Sequence, residues 1–146
     1  MNNQTKVIHK VAGMLALFII LIFFSSSLYA EINGDHALIK AVKTFILYGI
    51  ILLFIIMPVT VISGRKLSGK SISIVLDRKI NRMKLIAINA IALILLAITL
   101  YYRATHNLID HTFVTIQIIE FVFGLTNAAL LTLMIRDGRL LKEGKF

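Results

Sequence analysis

The chain contains no cysteine. That absence excludes disulfide staples, cysteine nucleophiles, iron–sulfur clusters and thiolate zinc sites. Charge is scarce as well, at 16% of 146 residues, against about 25% in soluble domains. Acids are rarer than bases, seven against sixteen, and Glu120 alone among them lies deep inside a long apolar segment. Proline occurs once, as Pro58, within an apolar segment near its end, where it is expected to kink a helix rather than break it.

Four long apolar runs fill the chain, at about residues 7–30, 41–63, 85–102 and 113–135, and mean hydropathy is +0.89. Each run is about as long as the ~20 residues a helix needs to cross the hydrocarbon core. A helix satisfies its own backbone hydrogen bonds in lipid, so the runs read as transmembrane helices. The expected fold is an all-α integral membrane protein, a four-transmembrane-helix antiparallel bundle forming a single domain over residues 1–146. Little chain remains for a soluble catalytic domain.

The first run has a basic start and ends at Ser25-Ser26-Ser27-Leu28-Tyr29-Ala30, loosely like a signal-peptide cleavage site. Leu28 is a poor fit to the small-x-small pattern and the apolar run is long, so helix 1 is expected to be retained.

Of the sixteen Lys and Arg, thirteen lie before helix 1, between helices 2 and 3, or after helix 4. The remaining three, Lys40, Lys43 and Arg103, flank the other two connections. This bias predicts both termini and a basic loop at 64–84 in the cytoplasm, N-in/C-in, consistent with a bacterial inner membrane. The expected partner of the positive charge is anionic lipid headgroups, not nucleic acid. Within the loop, Ile72, Ile74, Val75, Leu76 and Ile80 among Arg and Lys suit either a short interfacial segment or an ordinary basic loop. Gly64-Arg65-Lys66-Leu67-Ser68-Gly69-Lys70-Ser71 spells a P-loop, but that mechanism needs a preceding strand and a parallel sheet. No nucleotide is expected there.

Inside the fourth run, Gln117, Glu120, Gly124, Asn127 and Leu131 recur at spacings of three and four and share one helical face. Gly124 and Ala128 form a small-xxx-small pair that permits close helix contact. The face is expected to point into the bundle. From depth alone, at about 1.5 Å per residue, Glu120 is expected to meet the Tyr48 hydroxyl, and Asn89 to pair with Asn127. An intramembrane carboxyl is a candidate for proton or ligand handling, or a hydrogen-bonding lock on helix order.

His36, His106 and His111 cluster on the opposite side from the basic segments, beside Asp35, Asp110 and Arg103. They suggest a b-type haem with imidazole axial ligands and Arg103 on a propionate. A small site for zinc, copper(II), nickel or iron, using Asp35 or Asp110 as well, is the other chemistry they suit. Interfacial histidines without a ligand remain the plain alternative. Two function classes survive: a structural or accessory membrane protein binding another membrane protein or itself through helix faces, and a membrane redox or metal-binding protein. Neither requires an autonomous enzyme.

Overall fold

The structure, a computed structural model, describes the backbone of residues 3–68 and 74–142, with side chains at 3–64, 66 and 81–136. The described chain is all-helical: α1 (Asn3–Asn33), α2 (His36–Ser68), α3 (Ile74–Thr105) and α4 (His111–Lys142). Each contains a segment long and apolar enough to cross a membrane: Asn3–Asn33, His36–Gly64, Asn81–Thr105 and His111–Arg136. By length and composition the described residues hold four helices able to cross a membrane.

The helices outrun the apolar segments. The region expected as a loop over 64–84 is helical at 64–68 and again from Ile74 onward, and α4 continues past Arg136 to Lys142. The reason is physical: hydropathy ends at the interface, but helix formation does not. Leu, Arg, Lys and Met, frequent between Ile74 and Lys84, are good helix formers in water. Gly69–Ser71 of the P-loop look-alike, together with Ile72, lie outside the described residues, as do the side chains of Ile74, Val75, Leu76 and Ile80. Helix α2 runs unbroken through Pro58, which removes the donor that the Phe54 carbonyl would otherwise receive.

Short capped turns join the helices. After α1, Gly34 adopts φ +65°, a conformation glycine takes at no steric cost, and its N–H bonds the Ala30 carbonyl at 3.2 Å. Asp35 then caps α2, accepting from the Ala37 N–H at 2.9 Å. At the end of α3 Asn107 is left-handed, φ 56°, and the Leu108 N–H reaches back to the Arg103 carbonyl at 2.8 Å, a Schellman-type closure. Asp110 caps α4 through the Phe113 N–H at 2.9 Å.

In space the helices form a ring, with α1 beside α2, α2 beside α3, α3 beside α4 and α4 beside α1. Among the described residues the backbones of diagonal pairs stay apart, and α2 reaches α4 only through side chains, Lys43 to Glu120. The inward stripe of α4 is Phe113, Gln117, Glu120, Gly124, Asn127 and Leu131; that of α2 is Ile39, Lys43, Ile46, Ile50, Leu53 and Met57. Both repeat every 3.5 residues, the spacing of left-handed helix packing. Small residues at Ala12, Gly13, Ala16, Ala30, Ala97 and Ala104 are buried and let backbones approach, as membrane helix contacts require. One apolar cluster, Ala30, Ile39, Leu100, Ala104 and Phe113, closes one end of the interior. Another, Ile20, Ile86 and Leu131, lies toward the other.

Candidate functional site

Between those clusters lies a buried ion pair. Lys43 of α2 is 2% exposed, and its Nζ donates to Glu120 Oε2 of α4 at 2.9 Å and to Ser27 Oγ of α1 at 2.8 Å. Gln117, one turn before Glu120, donates through Nε2 to the same oxygen at 2.8 Å. Three helices are thereby tied at one level. Depths agree: Lys43 lies seven residues from the start of α2, about 10 Å, and Glu120 nine from the start of α4, about 13 Å. Glu31, one turn beyond Ser27, interacts electrostatically with both Lys43 and Glu120.

Lys43 displaces the partner expected for Glu120. Tyr48 is 69% exposed and points away from the bundle, because it lies off the Ile39–Met57 stripe. Starting α2 near Ala41 had put Lys43 at the rim. With α2 starting at His36, Lys43 falls two turns inside. The amide pair also resolves differently. Asn89 and Asn127 are both buried, but Asn89 Nδ2 donates to the Phe123 carbonyl at 2.8 Å. Asn127 Oδ1 meets no donor among the described residues.

Beside the ion pair, the bundle encloses an apolar cavity of about 430 Å³, within the range of small-molecule sites. All four helices contribute to its wall, and Ser27, Glu120 and Asn127 are the polar side chains on it. Phe54 and Ile62 of α2 and Ile91 of α3 line it while remaining largely exposed. The cavity wall is therefore exposed on the side of α2 and α3, at an apolar surface. Pro58 stands in the same wall, one turn from Phe54.

The three external histidines sit at helix ends. His36 and His111 are the exposed first residues of α2 and α4. His106 stacks on Tyr102 with ring centres 4.1 Å apart, and its Nδ1 donates to the Tyr102 carbonyl at 2.8 Å. Asp35 is engaged in capping α2. Asp110 accepts from Phe113 N–H at 2.9 Å and from Arg103 Nη2 at 2.6 Å. The Phe113 N–H first, then the Arg103 guanidinium, hold its carboxyl below the usual carboxylate range. Arg103 is thus turned toward Asp110. Among the described residues, no group of three or more His, Asp or Glu side chains is placed to hold a metal ion. No histidine lines the cavity.

The described residues thus form four helices long and apolar enough to cross a membrane, with a buried Lys–Glu pair beside an apolar cavity. Comparison with protein-family models, with curated proteins and with solved structures gives no match.

Proposed function

We propose that this chain is a ligand-binding protein of a bacterial cytoplasmic membrane that admits a membrane-soluble molecule between α2 and α3 and holds it inside the bundle. The cavity carries this reading. Helices that only needed to associate would fill their shared interior, because voids forfeit packing attraction. Here about 430 Å³ stays open, with its mouth where an apolar molecule dissolved in lipid would arrive. Ionisable groups inside a membrane mark functional sites by default, and Glu120 stands on the cavity wall. Ser27 on that wall accepts from Lys43, whose ammonium also pairs with Glu120, so this reading takes the site as one of binding.

The helices run antiparallel with both termini cytoplasmic in this reading. Ser27 near one end of α1 touches Lys43 near the start of α2, while His9 near the other end touches the Thr60 carbonyl near the end of α2. The basic residues then gather on one side, against anionic headgroups. Reporter fusions after Gly34 and after Ser68 should give opposite compartments, and equal signals would refute this topology.

The binding reading is tested by mass spectrometry of the protein purified in mild detergent, native and after organic extraction. A non-phospholipid molecule present in near-stoichiometric amount, and lost from a Gly124→Leu variant, is the expected result. Gly124 lines the cavity and a Cβ there meets nothing nearer than Phe24 Cδ2 at 4.0 Å, so a Leu side chain starts without a clash and extends into the open volume. An empty protein that co-purifies with another membrane protein would instead support an accessory role through helix faces. The shallow apolar groove of Val7, Val11, Leu15, Ile55 and Val59 on the outside of α1 and α2 is the surface such a partner would use.

A further inference from the structure

We infer that the molecule held in the cavity is a neutral lipid-soluble amphiphile bearing a hydroxyl or N–H group, and that Asn127 is the residue that receives it. This rests on the cavity being a binding site and adds the class of ligand and its anchor.

Charge on the wall selects against ions. Glu120 lines the cavity and, among the described residues, no Lys, Arg or His does. Lys43 stands behind Glu120, almost wholly buried, with its ammonium committed to Glu120 and Ser27. A fatty-acid carboxylate or a phosphate headgroup would enter an apolar space facing a carboxylate, with no cation on the wall among the described residues to compensate. Burying such a charge unpaired is strongly unfavourable. A cationic headgroup fares little better, because the Glu120 charge is already matched by Lys43 at 2.9 Å. A neutral molecule is what remains.

Asn127 selects among neutral molecules. It is 2% exposed, lines the cavity, and its Oδ1 has no donor among the described residues. A buried acceptor without a donor loses its desolvation free energy with nothing in return. The companion amide is placed differently, since Asn89 Nδ2 donates to the Phe123 carbonyl on the neighbouring helix. Asn89 joins α3 to α4, whereas Asn127 faces a space. A hydroxyl or N–H on the occupant would supply the missing bond, while its hydrocarbon part occupies the apolar wall. A saturated hydrocarbon could not. Glu120 Oε2 takes both Lys43 and Gln117, leaving Oε1 as a second acceptor two turns away, about 10 Å along α4.

The experiment uses the full chain in phosphatidylcholine nanodiscs and two probes with the same pyrene-labelled twelve-carbon chain, one ending in an alcohol and one in a carboxylate. The alcohol should bind at least tenfold more tightly than the carboxylate. Asn127→Leu should weaken the alcohol about tenfold, the size expected for one buried hydrogen bond, and leave the carboxylate unchanged. Asn89→Leu should leave the preference for alcohol intact, and Asn127→Ser, which retains a hydroxyl, should restore part of the alcohol affinity should the Leu variant fail to fold. Equal binding of the two probes, or an alcohol affinity indifferent to both Asn127 variants, would overturn the inference while leaving the cavity reading standing. Such indifference is also what a water bound to Asn127 would produce. If neither probe binds the native protein, or if Gly124→Leu fails to displace them, the cavity reading itself falls.

Discussion

Lys43→Met should lower the stability of the solubilised protein by about 3–5 kcal/mol, the cost of leaving one member of a buried ion pair without the other. The carboxylate of Glu120 would keep only Gln117, in a site that Lys43 and Ser27 now close from α2 and α1. The double variant Lys43→Met/Glu120→Leu should recover most of that loss, because replacing a buried pair by apolar side chains of similar volume is often neutral or better. Inside a bilayer this contrast is sharpened, since an apolar pair needs no hydrogen-bond partners and the lipid offers none. Glu120→Gln should fall between them, for it retains acceptor and donor positions for Lys43 and Gln117 while removing the charge. The midpoints of unfolding in mixed micelles with rising dodecyl sulfate read the order directly. Should Lys43→Met unfold at the native midpoint, Lys43 is not the residue that neutralises Glu120, and the three-helix tie is wrong. Non-additivity is the informative quantity, because residues sharing one hydrogen-bond network couple by 0.5–3 kcal/mol or so.

The same pair shows what a membrane sequence discloses and what it withholds. Four crossings are plain from hydropathy, since the bilayer demands ~20 apolar residues of any helix that spans it. Rotation of each helix is another matter. In a soluble protein the apolar face is the buried face, but in lipid both faces are apolar and hydropathy no longer distinguishes them. Only polar and small side chains carry facing information. Helix α4 has several, Gln117, Glu120, Gly124 and Asn127, so its inward face was readable. Helix α2 has few, so Tyr48 was placed from depth alone, and depth says nothing about rotation. The signal that would have found Lys43 was its place in the 3.5-residue stripe Ile39, Lys43, Ile46, Ile50, Leu53, Met57, with a basic residue where the pattern requires a core residue. It was masked by proximity to Lys40 at the helix start, where a lysine reads as a rim charge. The external histidines show another limit: residues close in a topology diagram are not thereby convergent, and His106 bonds back onto its own helix. The cavity had no sequence signature at all, because an unfilled volume is a property of four helices packed together.

Gly49→Ala should close much of that cavity from a distance. A Cβ at Gly49 would run into Phe23 Cζ and lie 2.7 Å from Cε1, far inside contact distance, so the ring must move. In a filled core such overpacking costs about 1–3 kcal/mol. Here Phe23 also lines the cavity, and swinging the ring off α2 into open space is the cheapest relief, at the loss of its edge-to-face contact with Phe45, 5.8 Å between centres. Stability should therefore fall toward the small end of that range, while affinity for an apolar probe drops at least tenfold, about 1.4 kcal/mol or more. Phe23→Leu should bind normally, and the double variant Gly49→Ala/Phe23→Leu should regain binding, since the smaller side chain no longer meets the new methyl group. Probe affinity in nanodiscs and the unfolding midpoint, measured on the same three variants, separate the two effects. A Gly49→Ala protein that binds normally but is strongly destabilised would mean that the ring cannot enter the cavity and that the helices part instead. Parallel loss of both, rescued together by Phe23→Leu, would place the strain on the α1–α2 contact. Loss of binding with little loss of stability would identify the Phe23 ring as what sets the cavity's size, with Gly49 the residue that holds it back.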